Sequence, residues 1–124
     1  MTKIKVAFYS MGGNTKSFVE KLDVESVDIL TEPSVSEPFI LLTPTYFFGQ
    51  VPEKVGSWLV DNGSYMCGVI GFGNRNWGSN FGRAADIISD SYGVPLLDKV
   101  EMRGTDEDVR RVNEGIASGQ AWRD

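Results

Sequence analysis

Apolar residues arrive along this chain in short blocks, and the spacing inside the blocks alternates between two patterns. Residues 4–9, "IKVAFY", are mostly apolar and β-prone, as expected of a strand covered on both faces. The stretches "SVDIL" (26–30), "PFILLT" (38–43), "MCGVIGF" (66–72) and "PLLDKVEM" (95–102) predict further strands. Between them the spacing becomes helical. Phe18, Val19 and Leu22 fall on one face of a short helix from about Thr15 to Lys21. Pro52 can open a second helix, with Val55, Trp58 and Leu59 as its buried stripe and Asn62-Gly63 as its end. Ala84, Ile87 and Ile88 mark a third, stopped by Gly93 with Pro95 just beyond. Thr105 can cap a fourth. Asp106, Glu107 and Asp108 fill its first turn, where negative charge suits the helix dipole, and Val109, Val112 and Ile116 form its buried face.

Strands alternating with helices predict an α/β fold around a parallel sheet. Five strands fit an open, doubly wound sheet of flavodoxin-like order, 2-1-3-4-5, with helices on both faces. One connection is unusual. Only "TEPSVSEP" (31–38) separates the second and third strands, and its two prolines leave no room for a crossover helix. Either a helix-free loop makes that crossing, which is the expectation, or the second strand lies elsewhere.

Composition narrows the chemistry. At 124 residues the chain is expected to form a single domain, 1–124, with a core that needs no disulfide or metal staple. The lone Cys67 has nothing to pair with inside the chain and reads as a small buried hydrophobe in a reducing compartment. There is no histidine, which removes the commonest general base and the commonest transition-metal ligand. No metal site and no catalytic side chain are expected. Redox chemistry, if present, would come from a bound cofactor. The net charge of −5 argues against a nucleic-acid partner. No apolar stretch reaches the length of a membrane span, and the N-terminus resembles neither a signal nor a transit peptide, so the expected location is cytoplasmic.

In an open parallel sheet, ligands bind beyond the carboxyl ends of the strands. Three loops are predicted to leave those ends, and each is unusual. The first, "SMGGNT", combines the hydroxyls of Ser10 and Thr15 and the amide of Asn14 with Met11, Gly12 and Gly13 ahead of a helix. That inventory suits a phosphate monoester, although a plain tight turn with an N-cap has the same composition. No Walker or dinucleotide glycine pattern is present. The second, "TPTYFFGQVP" (43–52), and the third, "GFGNRNWGSNFGR" (71–83), hold Tyr46, Phe47, Phe48, Phe72, Trp77 and Phe81. Aromatics normally leave loops for the core, so a cluster at the ligand edge suggests a flat ring between the loops, even if some of them only cover the sheet edge. Phosphate at one end and a flat aromatic at the other describe FMN. These loops hold no carboxylate until Glu53, while Lys16, Arg75 and Arg83 lie in or beside them, so the edge is expected to favour an anionic flavin.

"GNRNWG" (73–78), "FGRAADIIS" (81–89), the "SMGGNT" loop and "EMRGT" (101–105) together resemble the small flavodoxin-like NrdI family, activators of class Ib ribonucleotide reductases. The resemblance spans nearly the whole chain. It implies that Ser10 to Thr15 hold the FMN phosphate, and that Pro44, Thr45, Tyr46, Phe47, Phe48 and Gly49 pass along the flavin. It implies that Gly73, Asn74, Arg75, Asn76, Trp77 and Gly78, with Phe81 and Gly82, enclose the other side. Met11 stands where flavodoxins often have Thr, which leaves more of the phosphate to main-chain N–H groups. The implied partners are the dimanganese small subunit of the reductase, which would receive superoxide or peroxide, and a flavin reductant. A general flavodoxin electron carrier, or a module binding another phosphate ligand or a partner without redox chemistry, remain alternatives.

Overall fold

The computed structural model describes residues 4–46 and 49–118. Five parallel strands form one sheet: β1 (Lys5–Phe8), β2 (Ser26–Asp28), β3 (Phe39–Pro44), β4 (Met66–Gly73) and β5 (Leu96–Glu101). Their order is β2-β1-β3-β4-β5, as the alternation of blocks predicts. Four α-helices follow β1, β3, β4 and β5: α1 (Asn14–Glu20), α2 (Glu53–Asn62), α3 (Arg83–Tyr92) and α4 (Asp106–Ser118).

The period of two along the strands divides the core. Val6, Phe8, Ile40, Leu42, Ile70 and Phe72 face one way and pack with Phe18 and Val19 of α1 and Val112 of α4. Ala7, Tyr9, Phe39, Leu41 and Val69 face the other way and meet Val55, Trp58 and Leu59 of α2 and Ala85 and Ile88 of α3. The result is three layers, with a buried sheet between two pairs of helices. Thr105 caps α4 reciprocally: its Oγ1 accepts from the Asp108 N–H at 3.1 Å, and an Asp108 carboxylate oxygen accepts from the Thr105 N–H at 2.9 Å.

The passage from β2 to β3 contains no helix. It is stapled to α2 instead. Asn62, 1% exposed, accepts from the Val35 N–H at 2.9 Å and donates to the carbonyls of Pro33 at 3.1 Å and Trp58 at 2.9 Å. The Trp58 indole N–H donates to the Glu32 carbonyl at 2.8 Å. A residue that reads as a helix stop therefore supplies the main-chain partners that a helix-free crossing needs.

Cys67 is exposed, which corrects the expectation of a buried hydrophobe. The reason is a bulge. Phe39 pairs with Met66 and Ile40 with Gly68, so Cys67 is the extra residue and leaves the inward alternation. Among the described residues, no helix is long and apolar enough to cross a membrane, and no group of three or more Cys, Asp or Glu residues could hold a metal.

Candidate functional site

The carboxyl ends of β1, β3, β4 and β5 open into one cavity of about 190 Å³. Ser10, Met11, Gly12, Asn14 and Thr15 line it from the first loop. Pro44 and Thr45 contribute from the end of β3, and Phe72, Gly73, Asn74 and Trp77 from the end of β4 and the segment beyond it. Met102 forms the wall beyond β5. Enclosed small-molecule pockets usually span about 300–1,000 Å³, so a ligand with a large flat ring would extend past this rim.

The first loop turns through Gly13, whose φ of +90° precedes α1. Ser10 Oγ accepts from the Lys16 N–H at 3.2 Å, and the Gly13 carbonyl accepts from the Ser17 N–H at 2.8 Å. Among the described residues, the main-chain N–H groups of Met11 to Thr15 have no acceptor. Thr15 is 2% exposed yet borders the cavity. Because α1 spans only 7 residues, its dipole is short, and the donors that this end of the cavity offers are mainly these N–H groups.

The second loop is fixed at both ends. Thr45 Oγ1 accepts from the Ala84 N–H at 3.2 Å, joining the end of β3 to the start of α3. Tyr46 exchanges main-chain bonds with Gln50 at 2.8 and 2.7 Å, around a turn in which Gly49 has φ +104°. A Cβ on Gly49 would lie 3.0 Å from Asn80 Oδ1 and 3.1 Å from the Arg83 side chain, so the second and third loops touch there. The predicted ring-flanking residues Phe47 and Phe48 lie outside the described residues.

The Tyr46 hydroxyl meets the Tyr9 hydroxyl at 2.8 Å, and its ring packs against the α2–α3 side of the core. Burial, then the hydrogen bond and the charge of Tyr9, push the Tyr46 phenol up to about 12. A raised phenol pKa means that folding favours the neutral form. The stability this carries is present below pH 10 and is lost as pH rises from 10 through 12. A tyrosinate absorbance titration is expected to contain a late component that Tyr46→Phe removes. A Tyr46→Phe curve that keeps this component would contradict the pairing.

The third loop lies mostly in solvent. Residues 75–79 are exposed, and Trp77 is 44% exposed. Asn74 Oδ1 accepts from the Asn76 N–H at 2.9 Å, and the Asn74 carbonyl from the Trp77 N–H at 3.0 Å. Gly78 (φ +59°) breaks the turn between Arg75 and Asn80, and Gly82 (φ +62°) starts α3. A Cβ on Gly73 would come within 3.0 Å of the Gly82 nitrogen, so the two ends of the loop are in close contact.

Several sequence expectations about this edge change. Phe72 belongs to β4 rather than to a loop; it is 2% exposed and meets Phe18 edge-on at 5.2 Å while forming the cavity floor. Gly13, Tyr46, Gly49, Arg75, Asn76, Gly78, Phe81 and Gly82 do not line the cavity. Arg75 sits 5.3 Å above the Phe81 ring. The edge is also not free of acid. Glu101, at the end of β5, accepts from the Arg75 N–H at 3.1 Å and pairs with its guanidinium at 3.4 Å. That carboxylate offsets Arg75, one of the three cations on which the expected positive field depended. Glu101 and Met102 are additions to the sequence reading. The "EMRGT" motif holds both, but its spacing alone gave no sign that it returns to the third loop.

A family model described as "NrdI Flavodoxin like" matches residues 6–114. The chain belongs to the NrdI flavodoxin-like family. The matched region includes every described loop of the cavity. Solved flavodoxins share the fold of this NrdI-family chain. A short-chain flavodoxin associated with a non-canonical PDU bacterial microcompartment is 20% identical, with a TM-score of 0.74 over 98% of this chain and 99% of the other. Oxidised flavodoxin 1 from Bacillus cereus is 23% identical, with a TM-score of 0.71 over 94% and 95% of the two chains. The Streptococcus pneumonia TIGR4 flavodoxin is 25% identical, with a TM-score of 0.69 over 92% and 94%.

Proposed function

We propose that this chain binds FMN in the cavity between its four strand-end loops and delivers an oxygen-derived oxidant to the dimanganese small subunit of a class Ib ribonucleotide reductase. The family match over residues 6–114 carries this reading. The donor set fits the cofactor. A loop with unpaired N–H groups from Met11 to Thr15 suits a phosphate monoester, and among the described residues no carboxylate lines the cavity to repel one. When bound, FMN would supply the electron chemistry that turns oxygen into superoxide or peroxide.

The chain's own residues would bind and position. Ser10, Asn14 and Thr15 would hold the phosphate with the loop N–H groups. Thr45 and Gly73 would border the remainder, with Trp77 at the open side. Half-exposed Trp77 and Met11 leave this side accessible to oxygen, to a reductant and to the partner subunit. No side chain is needed as acid, base or nucleophile, so the lack of histidine is compatible with the task. A general electron carrier would use the same cavity. The close fold similarity to flavodoxins favours that second reading only as far as the fold reaches.

The test is titration of the purified chain with FMN, followed by the visible flavin bands and by protein fluorescence. Saturable binding at one site is expected. No binding would end both redox readings. Thr15→Ala is expected to weaken FMN binding by about 1–2 kcal/mol, the scale of a hydrogen bond to a charged group. Unchanged affinity in that variant would remove Thr15 from the site.

A further inference from the structure

Met102 holds a backbone conformation that methionine rarely takes. Its φ is +54°, and among the described residues it is the one non-glycine with a positive φ. The Gly104 N–H donates to the Glu101 carbonyl at 2.9 Å, which closes a four-residue turn with Met102 and Arg103 at its centre. A positive φ at the first central position alone is the arrangement that normally takes glycine. A methionine there carries steric strain.

The surroundings keep the turn in this shape. The Met102 N–H donates to the Gly73 carbonyl at 2.8 Å. Glu101, one residue earlier, is tied to Arg75. Gly104 (φ +76°) is pressed against Phe18 and Val100 so closely that a Cβ would lie 2.6 Å from the Phe18 ring. The turn is therefore anchored at the cavity and in the core.

The side chain gains little from the fold in return. It is 54% exposed, so core burial does not offset the strain. Its one distinctive placement is in the cavity wall, beside the loops that carry Thr15 and Trp77. Strain that persists at a ligand site points to a function there. We propose that Met102 is a cofactor-contacting residue, whose thioether supplies an apolar, polarisable surface to the bound flavin from the β5 side. This rests on the FMN reading of the cavity.

The test compares wild type, Met102→Gly and Met102→Leu, each as the full chain. Thermal melting is measured without ligand, and FMN affinity is measured by titration. Glycine relieves the strain and removes the contact. Met102→Gly is expected to melt about 2–5 °C higher than wild type without ligand, yet to bind FMN about tenfold more weakly, a loss of about 1.4 kcal/mol. Met102→Leu keeps both strain and apolar bulk, and is expected to match wild type within about twofold in affinity, well inside 1 kcal/mol. A Met102→Gly chain that binds FMN as tightly as wild type overturns the proposal. A Met102→Gly chain that melts lower without ligand also overturns it, because the side chain would then serve the fold. If wild type itself fails to bind FMN, the cofactor reading fails first and takes this inference with it.

Discussion

Phe18→Ala is expected to cost about 3–5 kcal/mol of stability, the range for truncating a fully buried phenylalanine. Phe18 is 0% exposed and joins three parts of the molecule. It anchors α1 to the sheet through the cluster with Val6, Phe8 and Ile70. It meets Phe72, the cavity floor, edge-on at 5.2 Å. It also forms the surface on which Gly104 rests. Because α1 spans only 7 residues, it has little stability of its own, and this ring is its main hold on the sheet. Total stability of a domain this size is about 5–15 kcal/mol, so the loss would be a large share. Urea unfolding of the full chain measures it. A loss below about 1.5 kcal/mol would mean that the core closes over the cavity, against the close packing seen here.

Gly104→Ala is the second large effect, expected at about 2–4 kcal/mol from two sources. The φ of +76° is unfavourable for any residue with a Cβ. The added methyl would also lie 2.6 Å from Phe18 Cδ2 and 2.9 Å from Val100 Cγ1. The sources can be separated. Phe18→Ala removes the ring but not the φ requirement. The double variant is therefore expected to be more stable than the sum of the two losses implies, by about 1 kcal/mol or more. Strict additivity in urea unfolding would assign the Gly104 effect to its backbone and to Val100 rather than to Phe18. Both variants displace the turn that carries Met102, so both should weaken FMN binding beyond their loss of stability.

How far the sequence discloses this molecule depends on the range of each interaction. The strands were legible because a sheet buried on both faces leaves continuous apolar runs such as "FILLTP" at Phe39–Pro44. The helix-free crossing was legible because Pro33 and Pro38 leave no space for a helix. Asn62 as a staple was not legible, since its partners Pro33 and Val35 lie 29 and 27 residues away. Cys67 misled for a similar reason: a bulge arises from the pairing of two strands and does not show in either one.

The same limit applies at the site. The first loop's place at the cavity could be read from composition, because its turn and its polar groups are local to residues 10–15. The aromatic residues were read as one cluster, but tertiary packing divides them. Phe72 goes to the core, Tyr46 turns to Tyr9, Phe81 lies beneath Arg75, and Trp77 remains at the rim. Glu101 and Met102 escaped notice because β5 neighbours β4 only in the folded sheet, which brings residue 101 to residue 75.

The central claim is that this chain, loaded with FMN, converts oxygen into the oxidant that a dimanganese reductase subunit needs. The direct measurement starts with the metal-free small subunit of a class Ib reductase, loaded with Mn(II) and mixed without oxygen with the fully reduced, FMN-loaded protein. Oxygen is then admitted, and the tyrosyl radical is counted by electron paramagnetic resonance. The account predicts a radical yield that rises with the amount of this protein and is absent when reduced free FMN replaces it. A yield no greater than that free-flavin control, from a protein that binds FMN, would contradict the activator reading and leave an electron carrier.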